Sequence, residues 1–225
     1  TLWQTMTEHL FPSTTYHYNS GGDPVHIPDL SYQDLKDFYR IHYHPSNAVF
    51  MTFGDIQAYE HQQHFEDRAL KNFEKLDSEI SVDDEQRYTA PQRIEESYAL
   101  DEDDLADKTH IVVGWLLGLS TSLEDMLSAH LMSSVLLDNS ASPLRQALET
   151  SNLGAAPSPL CGLEDSNREM SFMCGVEGSN PENTEAVEQL VMDVLNEVAE
   201  KGVPQDRVEA VLHQLELGQR EIGGD

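Results

Sequence analysis

Residues 110–137, HIVVGWLLGLSTSLEDMLSAHLMSSVLL, decide the fold class. The first part, His110–Leu117, is dense in β-branched and large apolar side chains and reads as a strand. Ser122 then caps a helix, with Asp125 three residues on at the capping-box position. Behind it Met126, Leu127, His130, Leu131, Ser134, Val135 and Leu137 recur at helical spacing. A strand running into an amphipathic helix is the signature of a mixed fold.

The alternation continues on both sides. Downstream, Ser142-Pro143 opens a short helix with proline at its allowed first position, and Asn152-Leu153-Gly154 closes it. Strands follow around Leu160–Leu163 and Glu169–Gly175. Asn183–Lys201 reads as a long helix ended by Gly202, and Pro204 opens a last one carrying Val208, Val211, Leu212 and Leu215. Upstream, Glu95–Leu100 reads as a strand, and Asp101-Glu102-Asp103-Asp104 as a solvated loop. Asp77–Arg93 is polar throughout and forms the clearest seam in the chain. Before it, Leu2, Trp3, Met6 and Leu10 mark a helix that Pro12 stops. Ser31 and Asp34 start a second helix in capping-box fashion, with Tyr32, Leu35, Phe38, Tyr39 and His42 on one side. Ala48–Phe53 reads as a short strand turned by Gly54-Asp55, and Gln57–Leu76 as a third helix. The class is therefore α/β or α+β, in two units joined by a linker.

Composition excludes more than it assigns. The 225 residues carry 13 Lys+Arg against 41 Asp+Glu, a formal charge of -28. That argues against nucleic acid, whose binding needs clustered cations, and against an anionic membrane surface. Residues 1–95 hold 7 basic and 16 acidic side chains and residues 96–225 hold 6 and 25, so most of the excess follows the seam. The surface reads as solubilising or salt-adapted. No apolar run approaches the ~18 residues of a membrane span. Thr1–His9 lacks a signal-peptide layout, Gly223-Gly224-Asp225 closes nothing recognisable, and a fragment is expected. Cys161 and Cys174 fit neither a zinc ribbon nor a disulfide framework, and read as two reduced, half-buried thiols of a reducing compartment.

Ten histidines prompt a metal search. No His-Glu dipeptide exists, which excludes H-E-x-x-H. The inverted form, H-x-x-E-H, would need histidine at Thr5 before Glu8-His9, or at Gln57 before Glu60-His61. His61 and His64 could share a helix face, but two exposed histidines are the plainer reading. His42 and His44 flank a turn before Pro45 and read as packing or capping groups. Gly118-Leu119-Ser120-Thr121-Ser122 lacks the closing glycine of a nucleophile elbow, and Gly21-Gly22 lacks the rest of a phosphate loop. Asp103-Asp104 sits in a charge run, where a solvated loop outweighs a catalytic pair.

Three ordered stretches carry a resemblance: Leu10–Leu30 (LFPSTTYHYNSGGDPVHIPDL), Tyr39–Asp55 (YRIHYHPSNAVFMTFGD) and Ser142–Gly154 (SPLRQALETSNLG). The chain resembles the presequence protease group within the pitrilysin/insulinase family of zinc metallopeptidases. The resemblance implies an α+β fold, with helices packed on mainly antiparallel sheets, and parts of two such domains. Residues 1–76 would be the C-terminal part of the first, 77–93 an acidic linker, and 94–225 the N-terminal part of the second. It implies a parent that degrades short unfolded peptides with zinc and a glutamate base, both upstream of Thr1. The compartment is left open by the residues, with a soluble bacterial cytoplasmic setting favoured. No catalytic, cofactor-binding or metal-binding residue carries over to this chain, and no cofactor is expected within it. Peptides would be partners of the intact protein only. A non-catalytic member acting as scaffold or assembly subunit is the alternative. Trp115, Leu116, Leu131 and Leu144 are expected in the core, and Gly21–Pro24 is the segment expected nearest a peptide chamber, although a tight turn is its plainer reading.

Overall fold

A computed structural model describes residues 2–77 and 80–221. The terminal readings at Thr1 and Gly223-Gly224-Asp225, and Ser78 and Glu79 within the seam, lie outside the described residues. The chain forms two compact units, Thr1–Tyr18 with Asp84–Asp225, and Asn19–Asp83. The first eighteen residues group with the sheet, and the second crossing falls between Asp83 and Asp84, inside the acidic stretch.

The described residues of the larger unit form four strands: β1 (Thr109–Leu119), β2 (Ala156–Pro157), β3 (Gly162–Glu164) and β4 (Glu169–Ser179). All pairings are antiparallel. β4 is central, with β1 along one side and β2 and β3 sharing the other. Side chains alternate between the faces of a strand, which separates two sets of contacts. Phe172, Cys174 and Val176 join Ile111 in the main core with Leu136 and Leu137 of α4 (Leu123–Leu137). Leu144 and Leu148 of α5 (Pro143–Thr150) and Val187 and Val191 of α6 (Thr184–Lys201) complete that cluster. On the opposite face Met173 pairs with Gly114. There α1 (Leu2–Leu10) comes so close that a Cβ on Gly114 would lie 2.9 Å from Met6 and 3.4 Å from Leu10. With both faces covered, every residue from Met170 to Val176 except Gly175 is a buried side chain. α7 (Gln205–Arg220) packs on α4.

The helix signals act as the sequence implies. The Ser122 hydroxyl accepts from Asp125 N, although the Asp125 carboxylate turns back to Leu119 N instead of closing the box. Pro143 starts α5, and Gly202 ends α6 at φ 72°. Of the four expected core residues, Leu144 is fully buried, whereas Trp115, Leu116 and Leu131 are half-buried. The α+β class with antiparallel pairing holds. Glu95–Leu100 forms no strand: the segment stays irregular, with Glu96 beside His9 and the Tyr98 hydroxyl donating to the Lys108 carbonyl.

In the Asn19–Asp83 unit, Ser31 and Asp34 form a complete capping box at the start of α2 (Tyr32–His42). A 3-10 turn at Pro45–Asn47 follows, then α3 (Ala58–Arg68). The expected helix to Leu76 breaks at Ala69 and continues only as a 3-10 turn, Leu70–Asn72. The expected strand Ala48–Phe53 is irregular chain. A strand needs a neighbour to satisfy its backbone, and the described residues of this unit contain no other strand. None of them is buried: Val49, Met51 and Phe53 are 92%, 89% and 106% exposed. Aromatic stacking supplies local order, with Phe38 on His42 at 4.1 Å and Tyr39 on Tyr43 at 5.0 Å.

Candidate functional site

The densest polar constellation lies at the end of the sheet in the larger unit, where residues 84–87 cross from the chain after α1 to the start of β4. Glu85 is 5% exposed. Its carboxylate accepts from Ser13 N and Oγ at 3.1 and 2.5 Å, from Thr14 N at 3.0 Å and from Gln86 N at 2.8 Å. Its own N–H donates to Glu169 Oε2 at 2.5 Å. Glu169, equally buried, takes Arg87 Nη2 on its other oxygen at 2.5 Å. The same guanidinium donates to the carbonyls of Leu116 and Leu117 at 2.6 Å each. Beside it Arg168 Nε meets Asp84 at 2.8 Å, and Arg168 N donates to the Tyr16 hydroxyl at 2.9 Å.

Electrostatically this is a clasp. Burial pushes the Glu85 carboxyl up, but the donors at Ser13, Thr14 and Gln86 together outweigh it and leave the group below the usual carboxylate range. Both carboxylates are committed to donors of the fold, so neither stands ready to take a substrate proton. The constellation positions chain segments.

The histidine pairs do not assemble. His61 stacks toward Phe65 at 6.3 Å and His64 is exposed. His44 accepts from Ser46 N at 3.1 Å and meets Phe73 edge-on, so it caps and packs. Among the described residues, no three His, Cys, Asp or Glu side chains are arranged to hold a metal. The donors of the described residues therefore do not fit a zinc ion. Gly21–Pro24 is an exposed turn stitched by its own atoms: Gly21 N donates to Asn19 Oδ1, Val25 N donates to Asp23 Oδ1, and Gly22 takes φ 82°. In the acidic run Glu102 pairs with Lys108 at 2.7 Å. Sequence reasoning missed the His130–Asp165 pair, 2.9 Å apart and half-exposed, because Asp165 lies in the turn between β3 and β4. It missed the clasp as well, whose partners are 72 and 84 residues apart in the chain.

A family model described as the peptidase M16 inactive domain matches residues 29–215. The chain belongs to the peptidase M16 family, as its inactive-type domain. Within this family its relatives include the presequence protease, mitochondrial, of Xenopus tropicalis, 37% identical over 216 residues. The Mus musculus protein of the same name is 35% identical over 216 residues, and each alignment covers 95% of this chain and 21% of the relative. Presequence protease 1, chloroplastic/mitochondrial, of Arabidopsis thaliana is 36% identical over 224 residues, covering 98% and 21%. The M16 chain thus spans about a fifth of the length of the curated relatives it matches. The resemblance read from the three quoted stretches and the family found here agree. Among the described residues no helix is long and apolar enough to cross a membrane.

Proposed function

We propose that this chain is a structural portion of a zinc metalloendopeptidase that degrades short unfolded peptides, with the zinc site upstream of it in the longer protein. The observation that carries the reading is the Asn19–Asp83 unit. Its capped α2, its α3 and the apolar run Ala48–Phe53 are laid out as parts of a domain, yet none of its described residues is buried. Apolar side chains in that state need a covering surface, and the relatives are about five times longer than this chain. Residues 1–76 then close a first peptidase-family domain, 77–93 link, and 94–225 open the second, while the clasp of Glu85 with Ser13, Thr14 and Glu169 ties the three segments together at the sheet end. Gly21–Pro24 is the segment we would place nearest the peptide chamber, with a tight structural turn as its plainer reading. The relatives' names speak of mitochondria and chloroplasts and lend no support to a bacterial cytoplasmic setting.

The test compares the intact protein with the 225-residue chain. The intact protein is expected to cleave a short unstructured peptide, to stop with a chelator and to resume with zinc, while the chain alone does none of these. Zinc-dependent cleavage by the chain alone overturns the location of the site. An intact, folded protein that neither retains zinc nor cleaves peptides selects the non-catalytic scaffold instead.

A further inference from the structure

The two cysteines lie thirteen positions apart in sequence but meet across the sheet. β3 pairs with β4 through Gly162–Met173, Leu163–Phe172 and Glu164–Ser171. Cys161 immediately precedes this ladder and Cys174 immediately follows it, so one further step in the same register would set the two opposite each other. Residues directly opposite in an antiparallel pair project to the same face. The core bears this out, since Cys174 belongs to the main apolar cluster and Cys161 packs against it. Cys161 Sγ also approaches the carbonyl of Gly175, the residue after Cys174, at 3.5 Å. Opposed residues of this kind have Cα atoms about 4.5–5.5 Å apart, inside the range a disulfide spans. The two thiols are unequal in access: Cys161 is half-buried and Cys174 fully buried.

We propose that Cys161 and Cys174 form a cross-strand disulfide when a small-molecule disulfide such as oxidised glutathione is present, with Cys161 reacting first and Cys174 resolving it. The Cys161 thiolate attacks one sulfur of the small disulfide, forming a mixed disulfide and releasing one small thiolate. The Cys174 thiolate then attacks Cys161 Sγ, forming the internal bond and expelling the second small thiolate. The protons of both cysteines end on the two released thiols, so two protein thiols are oxidised and one small disulfide is reduced. Burial raises the Cys161 thiol above its usual range, and burial together with the neighbouring Cys161 raises Cys174 further. Oxidation is accordingly slow at neutral pH and accelerates as the thiolate fraction grows, about tenfold per pH unit below the thiol's own value. The pair is a latent staple that stays open in a reducing setting and closes on prolonged oxidation.

Peptide mapping of the full-length protein tests this. The protein is incubated with oxidised glutathione at pH 7 and 8, alkylated under denaturing conditions and digested. A peptide linking Cys161 to Cys174 is expected, formed about tenfold faster at the higher pH and lost on reduction. Cys174→Ser is expected to accumulate glutathione on Cys161, an adduct the wild type resolves. Cys161→Ser is expected to leave Cys174 free. Recovery of both cysteines as separately alkylated peptides from the oxidised wild type overturns the proposal. So does a glutathione adduct on Cys161 that persists equally in the wild type and in Cys174→Ser.

Discussion

At the scale of single residues, Glu85 shows how a charge is kept inside this fold. Four donors converge on one carboxylate, and its own N–H reaches Glu169, so the charge is buried with its partners already in place. Because the folded group sits below the usual carboxylate range, its contribution is fully present above the unfolded value of ~4.3 and is lost as pH falls through the folded value. Glu85→Gln is expected to lower unfolding stability at pH 7 by about 1–3 kcal/mol. The gap between wild type and variant should then shrink below pH 4, as urea titrations at both pH values would show. A constant gap would mean that the carboxylate is not ionised in the clasp. Ser31 and Asp34 could be read from the sequence because they act within one helical turn. Glu85 could not, since nothing in DDEQR announces Ser13 or Glu169.

At the scale of elements, helices were legible and strands only partly so, for a related reason. A helix satisfies its backbone within itself, so Ser122, Pro143 and Pro204 mark starts that the fold keeps. A strand exists only where another presents an edge. His110–Leu117 has β4, while the equally apolar Ala48–Phe53 has no strand beside it among the described residues of its unit. β2 is two residues long and ends on Pro157, too short to leave a periodic signal. The β1–β4 pairing is tightest at Gly175, where a Cβ would fall 2.0 Å from the Ile111 carbonyl and 2.8 Å from Val112 Cα. Both obstacles are backbone and cannot swing aside. Gly175→Ala is expected to cost about 2 kcal/mol or more, and Gly114→Ala less, because the atom it meets is the flexible tip of Met6. Thermal unfolding of the two variants side by side would reveal that order or reverse it.

For the molecule as a whole, two quantities dominate, the charge and the uncovered apolar surface of the Asn19–Asp83 unit. A net -28 over 225 residues sets like charges against one another, and salt screens that repulsion. The thermal midpoint is expected to rise by several degrees between low ionic strength and ~0.5 M sodium chloride, and a flat or falling midpoint would refute a repulsion-limited fold. The apolar surface should show itself as dye binding. The triple variant Val49→Ser, Met51→Ser, Phe53→Ser is expected to cut the fluorescence of an apolar dye on the 225-residue chain severalfold. Its melting should hardly change, since these side chains are exposed.

The central place of β4 carries a consequence for synthesis. Among the described strands it is the last made, yet every ladder between them runs through it. β1 therefore leaves the ribosome without its β4 partner, and stays so until the chain from Leu119 to Glu169 has been added. At ordinary elongation rates that interval lasts roughly 3–10 s. During it the apolar run Ile111–Leu119 is open to the strands of other nascent chains, and a chaperone that shields it would act in that window.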